Sequence, residues 1–274
     1  MKITIKDFVP SHTFDCGQCF RWEKEEGESY VGVAGGKAVR IKEQNGNIEI
    51  SSTEEEYSSF WENYLDAKRD YGKIKKQIEI NPIMKEAISF GGGIHLLRQE
   101  FHEALVSFII SQRSSIPKIK SCVGKLCEFY GEKIDFEGKT LYSFPSVEAL
   151  SDISEEEYRK LGVGYRAPYI VDAVKRMKSG ELDADFLLNS DTLTAREKLM
   201  EVKGVGDKVC DCVLLFSLGK YDLFPSDVWI KRVMLESFDS PDAKTVGEEL
   251  FREYSGFAQQ YLFYWRKFQK EAQK

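Results

Sequence analysis

Lys208 follows a Gly204-Val205-Gly206 turn, and Asp227 lies downstream, directly before Val228-Trp229-Ile230. The stretch from Leu199 to Arg232 reads as short helices joined by that Gly-Val-Gly turn. Backbone N–H groups at such a helix start bind a phosphate without needing net positive charge, so this is a grip for a DNA backbone. Lys208 falls in the opening turn of the second helix, at the positive end of its dipole, where an ammonium is destabilised. The same field favours the neutral, nucleophilic amine, which makes Lys208 a candidate reagent. The alternative for these residues alone is an ordinary interhelical turn with a solvated lysine. For Asp227 it is a helix N-cap, a role compatible with chemistry.

The rest of the chain is acidic. Its 274 residues, 42% of them hydrophobic, suffice for a substantial core in one large or two modest domains. A formal net charge of -6 excludes a protein that coats nucleic acid through bulk charge. Basic residues concentrate locally. From Phe101 to Leu126 the only acid is Glu103, against Arg113, Lys118, Lys120 and Lys125. From Arg159 to Lys178 the only acid is Asp172, against Arg159, Lys160, Arg166, Lys175, Arg176 and Lys178. These segments form either a basic face or merely solvated helix sides.

No apolar run is long enough to cross a bilayer, and Met1 to Lys6 lacks the hydrophobic segment of a signal peptide. The expectation is an intracellular, cytoplasmic protein, nucleoid-associated in a prokaryote or nuclear in a eukaryote. Cys16, Cys19, Cys122, Cys127, Cys210 and Cys212 are then expected as reduced, partly buried thiols. Cys16-x-x-Cys19 with three histidines elsewhere is a weak zinc signal, and no metal site is expected.

Residues 1 to about 55 read as an antiparallel meander: Phe20-Arg21-Trp22, Tyr30 to Val33, a Gly35-Gly36 turn, Ala38 to Ile41, an Asn45-Gly46 turn and Ile48 to Ile50. From Ser52 the apolar period becomes helical, as in Tyr57, Phe60, Trp61 and Tyr64, or Phe101, Leu105, Phe108 and Ile109. Gly91-Gly92-Gly93 breaks the chain ahead of a long helix expected to start near His95. The fold class is therefore α+β: a small N-terminal antiparallel β-sheet domain with flanking helices over 1–90, then a mostly α-helical domain over 91–274.

The chain resembles the helix-hairpin-helix DNA glycosylases, and more closely the 8-oxoguanine DNA glycosylase/AP lyases. The resemblance rests on Gly204-Val205-Gly206-Asp207-Lys208 with Asp227, on Asp15-Cys16-Gly17-Gln18-Cys19-Phe20-Arg21-Trp22, and on Leu96-Leu97-Arg98-Gln99 with Ser107-Phe108-Ile109. It extends through Gly164-Tyr165-Arg166-Ala167, Phe224-Pro225-Ser226-Asp227-Val228 and Gly256-Phe257-Ala258-Gln259. It implies a bifunctional repair enzyme acting on double-stranded DNA that contains 8-oxoguanine. The base is flipped out, excised through a lysine Schiff base, and the strand nicked by β-elimination. Lys208 would be the nucleophile and Asp227 the carboxylate that stabilises the cationic, sugar-like transition state.

By the same resemblance, the backbone carbonyl of Gly17 would read the ring-nitrogen hydrogen that distinguishes 8-oxoguanine from guanine. Gln259 would read the Watson–Crick edge, and Phe263 and Cys212 would sandwich the base, with Phe216 and Trp229 nearby. Tyr165 and Arg166 would act as wedge and opposite-strand reader, and Gly204, Val205 and Gly206 would contact the backbone. Arg113 and Lys118 depart from the pattern by standing where asparagine and arginine are expected, which implies a relaxed preference for the opposite cytosine. No cofactor is required for the chemistry, although carbonyls around Val202 and Val205 could hold a structural cation. A cysteine-free stretch after Cys212 excludes the iron–sulfur loop of some helix-hairpin-helix enzymes. A monomer suffices for one pocket on a bent duplex. Two alternatives are a helix-hairpin-helix glycosylase for another damaged purine, which Gly17, Gln259 and Phe263 oppose, and a non-catalytic damaged-DNA-binding module, which Lys208 with Asp227 opposes.

Overall fold

The computed structural model describes residues 1–44 and 46–272. Strands β1 (Lys2–Ile3), β2 (Trp22–Glu25), β3 (Ser29–Ala34), β4 (Lys37–Gln44) and β5 (Asn47–Ile50) form an antiparallel sheet in the order β1-β5-β4-β3-β2. The Gly35-Gly36 turn joins β3 to β4 and sets Tyr30 opposite Ile41 and Gly32 opposite Val39. The Asn45 position of the second predicted turn lies outside the described residues. Phe20 and Arg21, expected within a strand, stand ahead of β2. Alternation along β4 and β5 buries Val39, Ile41, Ile48 and Ile50 in a core that also holds Phe14, Trp22 and Trp61. Phe14 stacks on Trp22 with ring centroids 3.7 Å apart.

The helical part is built around the Phe101–Ser111 helix, of which nearly every residue is buried because other helices surround it. It packs on the helices Ile116–Tyr130, Ala167–Lys178 and Asp207–Leu218. The Pro82–Gly91 helix lies along Ser255–Ala272, so residues early and late in the chain share one packing layer. A two-stranded hairpin, β6 (Lys133–Phe136) with β7 (Lys139–Tyr142), interrupts the helices. Its side chains are all exposed or half-buried, too weak a contrast for a sequence pattern to register.

The long helix begins at Phe101 rather than near His95. The intervening segment is extended because its backbone donors are spent on distant partners. Leu96 N–H donates to the Tyr71 hydroxyl, Leu97 N–H to Gln18 Oε1, Arg98 N–H to Tyr64 O and Gln99 N–H to Phe216 O. A helix would withdraw all four.

Candidate active site

A cleft of about 1260 Å³ opens where the segment after the Pro10–Phe14 helix, the hairpin bearing Lys208 and the Ser255–Ala272 helix meet. Its lining includes Gly17, Arg113, Lys208, Asp227, Trp229 and Phe263, six of the residues expected in the site. Lys208 is half-buried in the first turn of the Asp207–Leu218 helix. Gly206 caps that helix without a side-chain acceptor, so no side chain competes for the N–H groups of its first turn. The Lys208 Nζ sits 5.2 Å from the centroid of Phe108. Burial pushes the thiol of Cys212, one helical turn on, up to about 11 against the opposing pull of the adjacent Lys208 amine.

Asp227 faces the same cleft from the start of the Val228–Phe238 helix and also serves as its N-cap. Both capping bonds, from Trp229 N–H at 2.9 Å and Ile230 N–H at 3.0 Å, end on Oδ1. Oδ2 is thereby left for the cleft. Lys208 and Asp227 do not form an ion pair with each other among the described residues.

Opposite them stands the loop Asp15–Cys19, bolted down by three glutamines. The buried Gln18 amide donates to Thr13 O at 2.9 Å and His95 O at 2.8 Å and accepts from Leu97 N–H. Gln260 Nε2 donates to Cys16 O, and Gln99 Nε2 to Gln18 O, both at 2.8 Å. Between those two engaged carbonyls, the Gly17 carbonyl receives no hydrogen bond among the described residues. Gly17 has φ +83, and a Cβ there would lie 3.3 Å from Cε1 of Phe263. Glycine thus meets both a left-handed backbone and a close ring.

Three expected pocket residues do not line the open cleft. Cys212 and Phe216 are buried behind its wall, Phe216 stacking on Phe108 at 5.6 Å. Gln259 is buried one turn before Phe263, with its Oε1 unpaired. An orphaned acceptor in that position is unusual for a buried amide and fits a group reserved for a ligand.

Apart from Arg113, the expected DNA contacts lie outside the cleft. Arg166 donates to the carbonyls of Gln112 and Val163 and packs over the exposed Tyr165 ring, 4.6 Å from its centroid. The Gln112 carbonyl therefore ties this pair to the cleft wall. Arg113, exposed at the rim, adopts φ +48, while the exposed Lys118 approaches Gly162. Gly204, φ +77, rests on the Tyr169 ring; Val205 is buried and Gly206 exposed. The Val202 carbonyl accepts from Val205 N–H at 3.0 Å. Much of the presumed basic face is paired: Arg159 with Glu155, Lys160 with Glu156, and Arg176 with Asp172, Glu181 and Glu201. The six cysteines are free and buried.

Sequence reasoning missed Lys231, Lys267, Tyr264 and, Arg113 apart, the wall from Ser111 to Pro117. Lys267 alone had a signal, being one turn beyond Phe263 and 5.1 Å from its ring. No helix among the described residues is long and apolar enough to cross a membrane.

Residues 1–105 match the model of the 8-oxoguanine DNA glycosylase N-terminal domain, and residues 106–254 that of the HhH-GPD superfamily base excision DNA repair proteins. The chain is similar to the Clostridium acetobutylicum 8-oxoguanine glycosylase/lyase solved in complex with double-stranded DNA containing cytosine opposite 8-oxoG. That likeness has 38% identity and a TM-score of 0.93, covering 99% of this chain and 98% of that one. It is similar to MBOgg1 solved with a low affinity DNA ligand, at 42% identity and a TM-score of 0.94, covering 98% and 94%. It is 28% identical to the Arabidopsis thaliana N-glycosylase/DNA lyase OGG1 over 96% of its own length. The chain spans 78%, 61% and 46% of the lengths of three curated relatives it matches.

Proposed function

The chain belongs to the 8-oxoguanine DNA glycosylase family of the helix-hairpin-helix base-excision superfamily, and we infer that it excises 8-oxoguanine from duplex DNA and nicks the strand as an AP lyase. The observation that carries this reading is one cleft shared by the Lys208 amine, the free oxygen of Asp227 and the Gly17 loop facing Phe263.

The extruded base stacks against Phe263, and its ring-nitrogen hydrogen donates to the uncommitted Gly17 carbonyl. Guanine presents a lone pair there. Two acceptors facing each other out of water cost about 1–3 kcal/mol, roughly 5- to 150-fold in selection. The Lys208 amine attacks the anomeric carbon through its nitrogen lone pair, and the bond to the base breaks with its electron pair leaving on the base, which takes up the proton that the nitrogen loses. Asp227 stabilises the positive charge that develops on the sugar. The sugar ring then opens: the C1′–O4′ bond breaks onto the ring oxygen, which takes up a proton, and the nitrogen lone pair closes the Schiff base. That cation acidifies the neighbouring carbon, whose proton is lost as the phosphate-bearing C–O bond breaks with its electron pair leaving on the phosphate. The unpaired Gln259 Oε1 would accept from the Watson–Crick edge, and Tyr165 with Arg166 would meet the opposite strand. The hairpin turn 204–206 would hold a phosphate.

An alkylated purine is the main competing substrate. Purines methylated at that ring nitrogen or at another carry no hydrogen for the Gly17 carbonyl, which argues against it. The test is borohydride trapping on an 8-oxoguanine duplex. Wild type gives a covalent complex and Lys208→Gln none; strand cutting without any trappable adduct rejects the mechanism. Asp227→Asn keeps the capping acceptor and removes the charge, so it slows excision by about 100-fold or more with folding preserved.

A further inference from the structure

We propose that Asp211 is a positioning residue: through Arg196 and Lys244 it registers the helix start bearing Lys208 against the loop bearing Asp227. The inference rests on the reading of Lys208 and Asp227 given above.

Asp211 lies on the Asp207–Leu218 helix, one turn beyond Lys208, and its side chain is 1% exposed. Two cations from two other helices converge on it. Arg196, from the Thr192–Met200 helix that precedes the hairpin turn, donates to Asp211 Oδ1 and also to Asp207 Oδ1. It therefore spans both helices of the hairpin immediately beside the nucleophile. Lys244, from the Ala243–Phe251 helix, donates to Asp211 Oδ2 at 2.8 Å and Oδ1 at 3.1 Å.

The chain of charge continues. Lys244 Nζ stands 3.8 Å from Glu248 Oε1, which accepts from Phe224 N–H at 3.3 Å. Phe224 opens the segment Phe224-Pro225-Ser226-Asp227, and its ring lies so close to Gly247 that a Cβ there would be 2.4 Å from it. An unbroken line of contacts thus runs from Asp207 and Lys208, through Arg196, Asp211, Lys244 and Glu248, to the loop of Asp227. None of its members after Lys208 and before Asp227 lines the cleft.

A buried carboxylate between two cations is a poor way to gain stability, because desolvation consumes most of the attraction. It is a good way to fix rotation and register, since apolar packing tolerates sliding that hydrogen-bonded charges do not. Attack at the sugar tolerates little error: a displacement of about 1 Å can cost on the order of 100-fold in rate.

The test is single-turnover excision per active enzyme, the active fraction being counted by borohydride trapping, together with affinity for a duplex carrying an uncleavable abasic analogue. Lys244→Met keeps the apolar stem and removes the bridge. We expect excision slowed by about 10- to 100-fold with duplex affinity within about threefold of wild type. Lys244→Arg, which can still reach both Asp211 and Glu248, restores the rate to within about threefold. Glu248→Gln, milder because its carbonyl can still accept from Phe224, slows excision by about three- to tenfold. Wild-type rates per active molecule in Lys244→Met and Glu248→Gln, with only thermal stability lowered, overturn the proposal. If wild type itself forms no adduct, the nucleophile reading fails and takes this inference with it; wild-type trapping beside unaltered variants rejects positioning alone.

Discussion

Asp227 divides its two oxygens between backbone and cleft, one holding two backbone N–H groups and the other left to the cleft. Gly17 is divided similarly, its conformation being required by the loop while the proposed function gives its carbonyl to the base. Alanine there must adopt φ +83 and place a methyl group 3.3 Å from Phe263. Gly17→Ala should therefore lose about tenfold or more in excision of 8-oxoguanine, because the carbonyl turns away as the strain relaxes. The ratio of 8-oxoguanine to guanine turnover is the measurement; an unchanged ratio removes this carbonyl from recognition. Lys208 was legible because a lysine beside a Gly-Val-Gly turn is chemically conspicuous. Gln112, Ile116 and Lys231 were not, since glutamine, isoleucine and an exposed lysine carry no mark of which wall they will form.

Among the elements, the hairpin shows how a turn is bought into place by its neighbour. Gly204 sits on the Tyr169 ring, and Tyr169 in turn meets the exposed Tyr165 edge-on at 6.2 Å. One ring thus supports both the turn proposed to hold a phosphate and the residue proposed to meet the opposite strand. A Cβ at Gly204 would lie 2.3 Å from Tyr169 Cδ2, at φ +77. Gly204→Ala should destabilise the hairpin by about 1–3 kcal/mol and weaken binding to damaged and undamaged duplexes alike. Selective loss for the lesion would contradict a backbone-only role. The turn itself was readable from Gly-Val-Gly. The extended run after Ile94 was not, because Tyr71, Gln18 and Phe216 take its hydrogen bonds from far along the chain, and no local period records such partners.

At the level of the whole molecule, the sheet and the helical body meet at Arg21 and Glu103, an ion pair with 3.9 Å between its atoms. Burial raises the Glu103 carboxyl to about 7, with Arg21 opposing, against an ordinary value of 4.5. The native state therefore holds a proton that the unfolded chain releases between those limits. This contribution to stability is complete below pH 4.5, declines as pH rises to about 7 and is flat above, a total of about 3 kcal/mol at most. Glu103→Gln removes the slope, so the Tm of the variant relative to wild type should rise from about pH 4.5 to about pH 7 and level off above. A constant Tm difference would refute it. The α+β division was visible from the change of apolar period, whereas the joining of its parts was not. Phe263, Tyr264, Lys267 and Phe268, on the last helix, complete a cleft whose opposite wall begins at Phe14, and Gln260 pins the loop at Cys16. A ribosome makes the Phe14 wall well before the Phe263 wall. The nascent chain accordingly exposes Lys208 before the Ser255–Ala272 helix exists to close the cleft around it.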